Sequence, residues 1–144
     1  MKIRNILATK GMNTISMRPE QTVKDAITLL TQYNIGAVVV LDADERLVGI
    51  LSERDLIRAV ASDNNVMVQP VSSVMTSNVI TGTPQDDLQS VLQTMTNGRF
   101  RHLPIIDRGA MIGIVSIGDL VKSQLDEYKG EIDTLRTQLI EGEA

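Results

Sequence analysis

Apolar residues along this chain switch between a helical and a strand-like period, and the whole alternation occurs twice. Behind the capping box Thr22-Val23-Lys24-Asp25, the residues Val23, Ala26, Ile27 and Leu30 share one helical face. Further on, Asp87 stands as N-cap before Leu88, Val91, Leu92 and Met95, which share a face in the same way. Each helix leads to a short apolar run, Ala37 to Leu41 in the first half and residues 102–106 in the second. A polar turn follows, carrying Asp42, Asp44 and Glu45 in one half, Asp107 and Gly109 in the other. A second run, 47–51 or 111–115, closes a hairpin, and a further helix begins at Ser52 or Ser116. With the extended stretches ahead of Pro19 and Pro84, the predicted order in each half is strand, helix, strand, strand, helix.

The two halves align residue by residue. An offset of 65 lays Asn13-Thr14-Ile15-Ser16 on Asn78-Val79-Ile80-Thr81, Pro19 on Pro84, Val23 on Leu88, Ile27 on Leu92 and Asp42 on Asp107. One residue is then lost in the turn, after which Gly49-Ile50-Leu51-Ser52-Glu53-Arg54-Asp55-Leu56 lies on Gly113-Ile114-Val115-Ser116-Ile117-Gly118-Asp119-Leu120. Fixed-period likeness of this kind marks a tandem duplication. The expected organisation is a first repeat over residues 1–65, a second over 66–125, and a helical tail over 126–144. A unit of ~60 residues is marginal alone, so the two copies are expected to pair through their sheet faces, about a pseudo-twofold axis, in an α+β fold.

The tail carries its own pattern. Val121, Leu125, Tyr128, Ile132, Leu135 and Leu139 follow alternating spacings of four and three, with charged residues filling much of the rest. The run is shorter than a confident coiled coil, and Gly130 costs it about 1 kcal/mol relative to alanine. Two readings fit: an amphipathic helix lying on its own domain, or a partner helix in a dimer.

Composition narrows the chemistry. In 144 residues there is no cysteine and a single histidine, His102. That removes disulfides, thiolate catalysis and cysteine metal sites, and leaves zinc without a ligand set. Two tyrosines and one phenylalanine leave little for stacking on single-stranded nucleic acid, and the net charge of −4 argues against broad attraction to phosphate backbones. No apolar run approaches the ~20 residues of a membrane span, and Met1-Lys2-Ile3-Arg4-Asn5 does not open a signal peptide. A cytoplasmic protein with neither membrane nor nucleic-acid partner is expected.

The duplicated Gly-aliphatic-aliphatic-Ser-x-x-Asp block is the remaining candidate for function. Ser52 with Asp55, and Ser116 with Asp119, satisfy a capping box at a strand-to-helix junction, which is a sufficient structural explanation. The same geometry suits a ligand. A helix N-terminus offers free N–H groups and tolerates phosphate, and a carboxylate there can accept from both hydroxyls of a vicinal diol.

Together with "NIGAVVVLDADERLVGILSERDLIRAV" and "RFRHLPIIDRGAMIGIVSIGDLV", the two blocks resemble a tandem pair of CBS domains, the Bateman module, over residues 1–125. The resemblance implies two βαββα units paired through their sheets. It also implies binding of adenosine-containing ligands (AMP, ADP, ATP, NAD(H) or S-adenosylmethionine) in clefts between the copies, and frequent dimerisation into a disc. By that resemblance, Asp55 and Asp119 match the carboxylate that meets ribose, with Ser52 and Ser116 beside it. Ile35-Gly36-Ala37 and Phe100-Arg101-His102 match the segment meeting the adenine edge, and Thr14-Ile15-Ser16 and Val79-Ile80-Thr81 the stretch lining the base pocket. Arg101, His102 and Arg54 match positions that reach phosphate in some members.

The copies differ in charge. Arg54 precedes Asp55, whereas Gly118 precedes Asp119; Arg99, Arg101 and His102 stand where the first copy has Asn34, Gly36 and Ala37. Arg54 and Arg58 fit a solvated helix face as well as a site, His102 fits a strand-end hydrogen bond, and Arg99 reads as surface. The expected function is a stand-alone regulatory module that senses energy or redox state through a bound adenine nucleotide, without a catalytic cofactor. It would dimerise through its CBS-pair faces, and through the tail helix on the second tail reading, to control a protein the sequence does not identify. The alternative is a dimeric scaffold with vestigial clefts. CBS pairs also occur inside IMP dehydrogenases, but nothing here resembles their catalytic barrel, and catalysis is not expected.

Overall fold

The two hairpins form in matching register. Helix α1 spans Ile3–Lys10, strand β1 Ser16–Met17, α2 Val23–Tyr33, β2 Ala37–Leu41, β3 Leu47–Ser52 and α3 Glu53–Ser62. Two 3-10 turns (Val66–Val68 and Val71–Ser73) lead to α4 at Leu88–Gly98, β4 at His102–Asp107, β5 at Ala110–Ser116 and α5 at Ile117–Glu143. This computed structural model describes residues 1–11 and 14–143, so Asn13, at the head of the repeat alignment, lies outside the described residues. Ala37 pairs with Ser52 and Val38 with Leu51; at the equivalent places His102 pairs with Ser116 and Leu103 with Val115. Both hairpins shift register at the same point, between Val40 and Leu41 and between Ile105 and Ile106.

The lost residue lies in the turns. Arg108 and Gly109 both have positive φ (52° and 78°), the conformation of a tight two-residue hairpin turn. The longer first turn is held by the Asp42 carboxylate, whose Oδ1 accepts the N–H of Asp44 and of Arg46, each at 2.9 Å. The leading strands also differ. β1 runs parallel to β2, pairing Ser16 with Val39 and Met17 with Val40. Its counterpart in the second half is a single parallel bridge from Gly82 to Ile105, so residues 79–81 form no ladder. Glycine replaces methionine there and has no side chain to pack.

Each half builds a core, but not from its own stretch of chain. One cluster joins Met17, Val23, Ala26, Leu30, Val38, Val40, Leu51 and Leu56 to Val66 and Val71 from the segment after α3. The other joins Leu88, Val91, Met95, Leu103, Ile105, Val115 and Leu120 to Ile3, Ile6 and Leu7 of α1. Backbone bonds fasten both arms. Ile3 and Arg4 donate to the carbonyls of Asp86 and Pro84, Leu88 donates to Met1, and Val71 donates to Gln21 at 2.8 Å. The two repeats thus exchange arms. A helix over residues 3–10 is a feature the sequence reading did not assign.

That exchange explains the glycine that heads each duplicated block. A Cβ at Gly49 would stand 2.3 Å from Met75 Sδ, and one at Gly113 2.9 Å from Leu7 Cδ2. A side chain of the crossing arm lies over each β-carbon position, so a larger residue there would have to displace Met75 or Leu7. The sheets approach where Gly36, ahead of β2, packs against the His102 imidazole at the head of β4. Val39 turns away from the first core and is nevertheless fully buried, so β2 is covered on both faces.

The tail departs from the own-domain reading. α5 is continuous from 117 to 143, with no break near 125. Leu120 is fully buried, but every side chain over residues 125–142 is exposed. No helix among the described residues is long and apolar enough to cross a membrane.

Candidate functional site

A cleft of about 540 Å³ opens between the repeats, at the N-terminus of α3 and the end of α4. One wall is built by the capping box. Ser52 ends β3 and caps α3, its Oγ accepting the Asp55 N–H at 3.3 Å. Asp55 answers through Oδ2, which accepts the Ser52 N–H at 2.9 Å and the Ser52 hydroxyl at 3.1 Å. Its Oδ1 accepts the hydroxyl of Thr76, at 3.2 Å, from the arm that crosses to this repeat. A carboxylate offers about four acceptor sites, so Asp55 holds three donors and keeps capacity for another. Two of those donors are hydroxyls, which can rotate to new acceptors when a ligand arrives. The capping role and the binding role are therefore compatible in one residue.

The facing wall brings Phe100, Arg101 and His102 from the α4–β4 junction, with Asn78, Val79 and Ile80 beside them. Charge that was divided between the repeats in sequence meets here. Arg54 and Arg58 line the cleft from α3 and Arg99 and Arg101 from the other side, against the carboxylates of Glu53 and Asp55. Arg99 caps α4 in a left-handed conformation (φ 57°); it is exposed, in keeping with its reading as a surface residue, and also lines the cleft. In a protein of net charge −4, a cleft with four arginines and two acids is a local excess of positive charge suited to phosphate.

His102 is held toward its neutral form. Burial lowers its pKa from the ordinary 6.5, the Lys10 ammonium lowers it further, Glu53 and Asp119 pull the other way, and Arg101 adds to the lowering. At neutral pH it therefore meets a ligand as an uncharged donor and acceptor. A lowered folded-state value means that the unfolded chain binds the proton more readily. The stability contributed by neutral His102 is full above its unfolded value, near 6.5, and is lost as pH falls from there toward the folded value. Urea unfolding from pH 7.5 to 5 is expected to show a fall in stability that His102→Asn flattens; equal slopes in the two proteins would contradict this.

The second copy of the motif is differently occupied. Ser116 and Asp119 form the same capping box, with the Ser116 N–H on Asp119 Oδ2 at 2.8 Å and the Asp119 N–H on Ser116 Oγ at 3.2 Å. Here, however, the crossing arm supplies a cation. Lys10 Nζ donates to Asp119 Oδ2 at 2.5 Å and to the Ile114 carbonyl at 2.7 Å. Burial pushes the Asp119 carboxyl up, but Lys10 and the Ser116 N–H together outweigh it and hold the group below the usual carboxylate range.

Of the residues singled out from sequence, the cleft gathers Gly36, Ser52, Arg54, Asp55, Val79, Ile80, Phe100, Arg101, His102 and Ser116. Asp119 stays outside it, as do Ile35, which packs on the first core, and Ala37, which is buried in β2. Thr81 lines a separate shallow recess with Arg46 and Met111. Thr14, Ile15 and Ser16 are also absent from the lining, and the Thr14 hydroxyl is buried without a partner among the described residues. Thr76 and Lys10 were missed because they sit on the crossing arms, where aligning the repeats lays Thr76 on Gly11. Among the described residues no group of three or more His, Asp or Glu side chains could hold a metal ion.

Comparison with known proteins matches the CBS domain family model twice, at residues 3–62 and 71–126. CBS domain-containing protein CBSX3, mitochondrial, from Arabidopsis thaliana is 34% identical over 95% of this chain and 71% of its own length. The crystal structure of the CBS-domain containing protein ATU1752 from Agrobacterium tumefaciens superposes with a TM-score of 0.83 at 39% identity, covering 85% of this chain and 92% of that one. The CBS domain pair of protein MJ0100, solved in complex with 5'-methylthioadenosine and S-adenosyl-L-methionine, has the same fold (TM-score 0.76, 24% identity, 90% of this chain and 98% of that one).

Proposed function

The chain belongs to the CBS domain family, as a tandem pair, and on that premise we propose that it is a regulatory module that binds an adenosine-containing nucleotide in the cleft at Asp55. The observation that carries this is the meeting, in one cleft, of the Asp55 carboxylate, two of whose donors are hydroxyls, with four arginines drawn from both repeats. Asp55 would take the ribose hydroxyls, with Ser52 and Thr76 re-donating around it. The Gly36 and Phe100–His102 backbone, with Val79 and Ile80, would receive the base. Arg54, Arg58, Arg99 and Arg101 would meet the phosphates, which favours AMP, ADP, ATP or NAD(H) over an uncharged nucleoside. The adenosine ligands of the MJ0100 pair support the ligand class. Nothing in this reading asks a side chain to react, so the module acts by binding. Its effect on a partner rests on a difference in affinity between two arrangements of the pair, typically ~1–3 kcal/mol for such coupling.

Asp119, Ser116 and Thr14-Ile15-Ser16, with Ile35 and Ala37, would form the second half-site of the family pattern. In this chain Lys10 already neutralises its carboxylate, so one ligand per chain is expected. Calorimetric titration of ligand-stripped protein with AMP, ADP, ATP, NADH and S-adenosylmethionine tests this. The expected result is saturable binding at one site per chain, weakening as salt is raised, with a second, weaker site gained in Lys10→Met. No heat and no melting shift with any of the five would overturn the sensor reading and leave the scaffold reading in its place.

A further inference from the structure

We infer that α5 pairs with the α5 of a second copy of this chain as a parallel, two-stranded coiled coil beyond the CBS pair. Leu125, Tyr128, Ile132, Leu135 and Leu139 are between 49% and 68% exposed, so no side chain of this seam is buried by its own chain, although Gln124 Nε2 donates to the Tyr128 hydroxyl at 3.0 Å within the helix. Five large apolar residues spaced alternately three and four apart bring one stripe back every 3.5 residues, the repeat that an α-helix matches only by winding around a partner of the same pitch. Taking Leu125, Ile132 and Leu139 as the a positions puts Tyr128 and Leu135 at d, a β-branched residue at the central a followed by leucine at d, which favours two strands. Gly130 falls at f, the position farthest from the partner, where it interrupts no contact.

The flanking charges choose both partner and direction. The e positions are Lys122, Lys129 and Arg136, all basic, followed by Glu143 at the helix end, and the g positions are Gln124, Glu131 and Gln138. In a parallel pair, g of one helix faces e of the next heptad on its partner, which sets Glu131 against Arg136 of the other copy and Gln124 against Lys129, in both directions across the twofold. An antiparallel pair would set e against e and confront lysine and arginine with one another. The parallel orientation therefore gains a Glu131–Arg136 pair in each direction and avoids the clash of basic e positions, so the charges favour it over the antiparallel one.

The test uses the full chain. Sedimentation equilibrium is expected to show a dimer, and the double substitution Ile132→Asp with Leu135→Asp is expected to weaken association by about 100-fold or more. Because Ile132 and Leu135 are exposed in the single chain, the melting of the CBS pair itself should be retained in that variant, measured at a concentration where both proteins are monomeric. Dimers formed through another face are separated by Leu139→Cys, which introduces a thiol into a chain that has none. A parallel coil brings the two introduced thiols together and gives a covalent dimer on oxidation. An antiparallel coil crossing near Ile132 holds them about 20 Å apart. A monomer, a dimer unaffected by the two aspartates, or a Leu139→Cys protein that does not cross-link would each overturn the inference.

Discussion

A chain lacking residues 1–11 is expected to lose its second repeat, although the nearest chain neighbour of that core lies more than seventy residues away. Ile3, Ile6 and Leu7 are at most 3% exposed and pack among Leu88, Met95, Leu103 and Val115. Losing one buried aliphatic side chain costs ~2–5 kcal/mol, and three together rival the ~5–15 kcal/mol that holds a whole domain. The deletion also strips the backbone partners of Asp86 and Pro84 and unpairs Asp119. Amide hydrogen exchange should show protection lost across α4, β4 and β5 while β2 and β3 keep theirs. The milder Leu7→Ala should lower stability by ~2–5 kcal/mol in denaturant titration. Retained protection in the deletion protein would show that the arm merely decorates the second core.

Asp55→Ala is expected to lower nucleotide affinity by about 100-fold, since hydrogen bonds to a charged group are worth ~1.5–3 kcal/mol and each 1.4 kcal/mol is tenfold. The same change removes half of a capping box, at ~1 kcal/mol of stability. The two effects separate in Asp55→Asn, which keeps one acceptor for the Ser52 N–H but cannot take both ribose hydroxyls. Its melting temperature should stay near that of the parent while affinity falls. Asp119→Ala supplies the contrast. Its carboxylate lies outside the cleft and is bound by Lys10, so affinity at the cleft should hardly change. Equal losses for the two aspartates would show that the cleft is not where the ligand sits.

The hairpins, the helices that follow them and both capping boxes were legible because each is a local matter. Alternation between Ala37 and Leu41, the Ser-x-x-Asp spacing and the polar turns depend on neighbours a few residues away. The duplication added register, and the structure shows it extending to matching bulges, at Val40 and Ile105, that the sequence did not signal. What escaped was non-local. Ile3, Ile6 and Leu7 recur at helical spacing, but no position in the repeat pattern says that they belong to the other half's core. For the same reason, pairing the copies by sequence made Asp55 and Asp119 look alike, when the crossing arms give one a threonine and the other a lysine. The four arginines could be seen as divided between the copies, but only the fold places them on opposite walls of a single cleft.

The exchange of arms also orders events in time. The first core closes within a continuous stretch, residues 17–71, whereas the second requires Ile3 to find Leu120. High contact order slows closure, and synthesis delivers the chain from its N-terminus. The apolar face of α1 is therefore made well before the elements it packs against and is buried only after they appear. Until the strand bearing Val115 and the helix bearing Leu120 have emerged, it remains an exposed hydrophobic segment, the part of the nascent chain most in need of a chaperone.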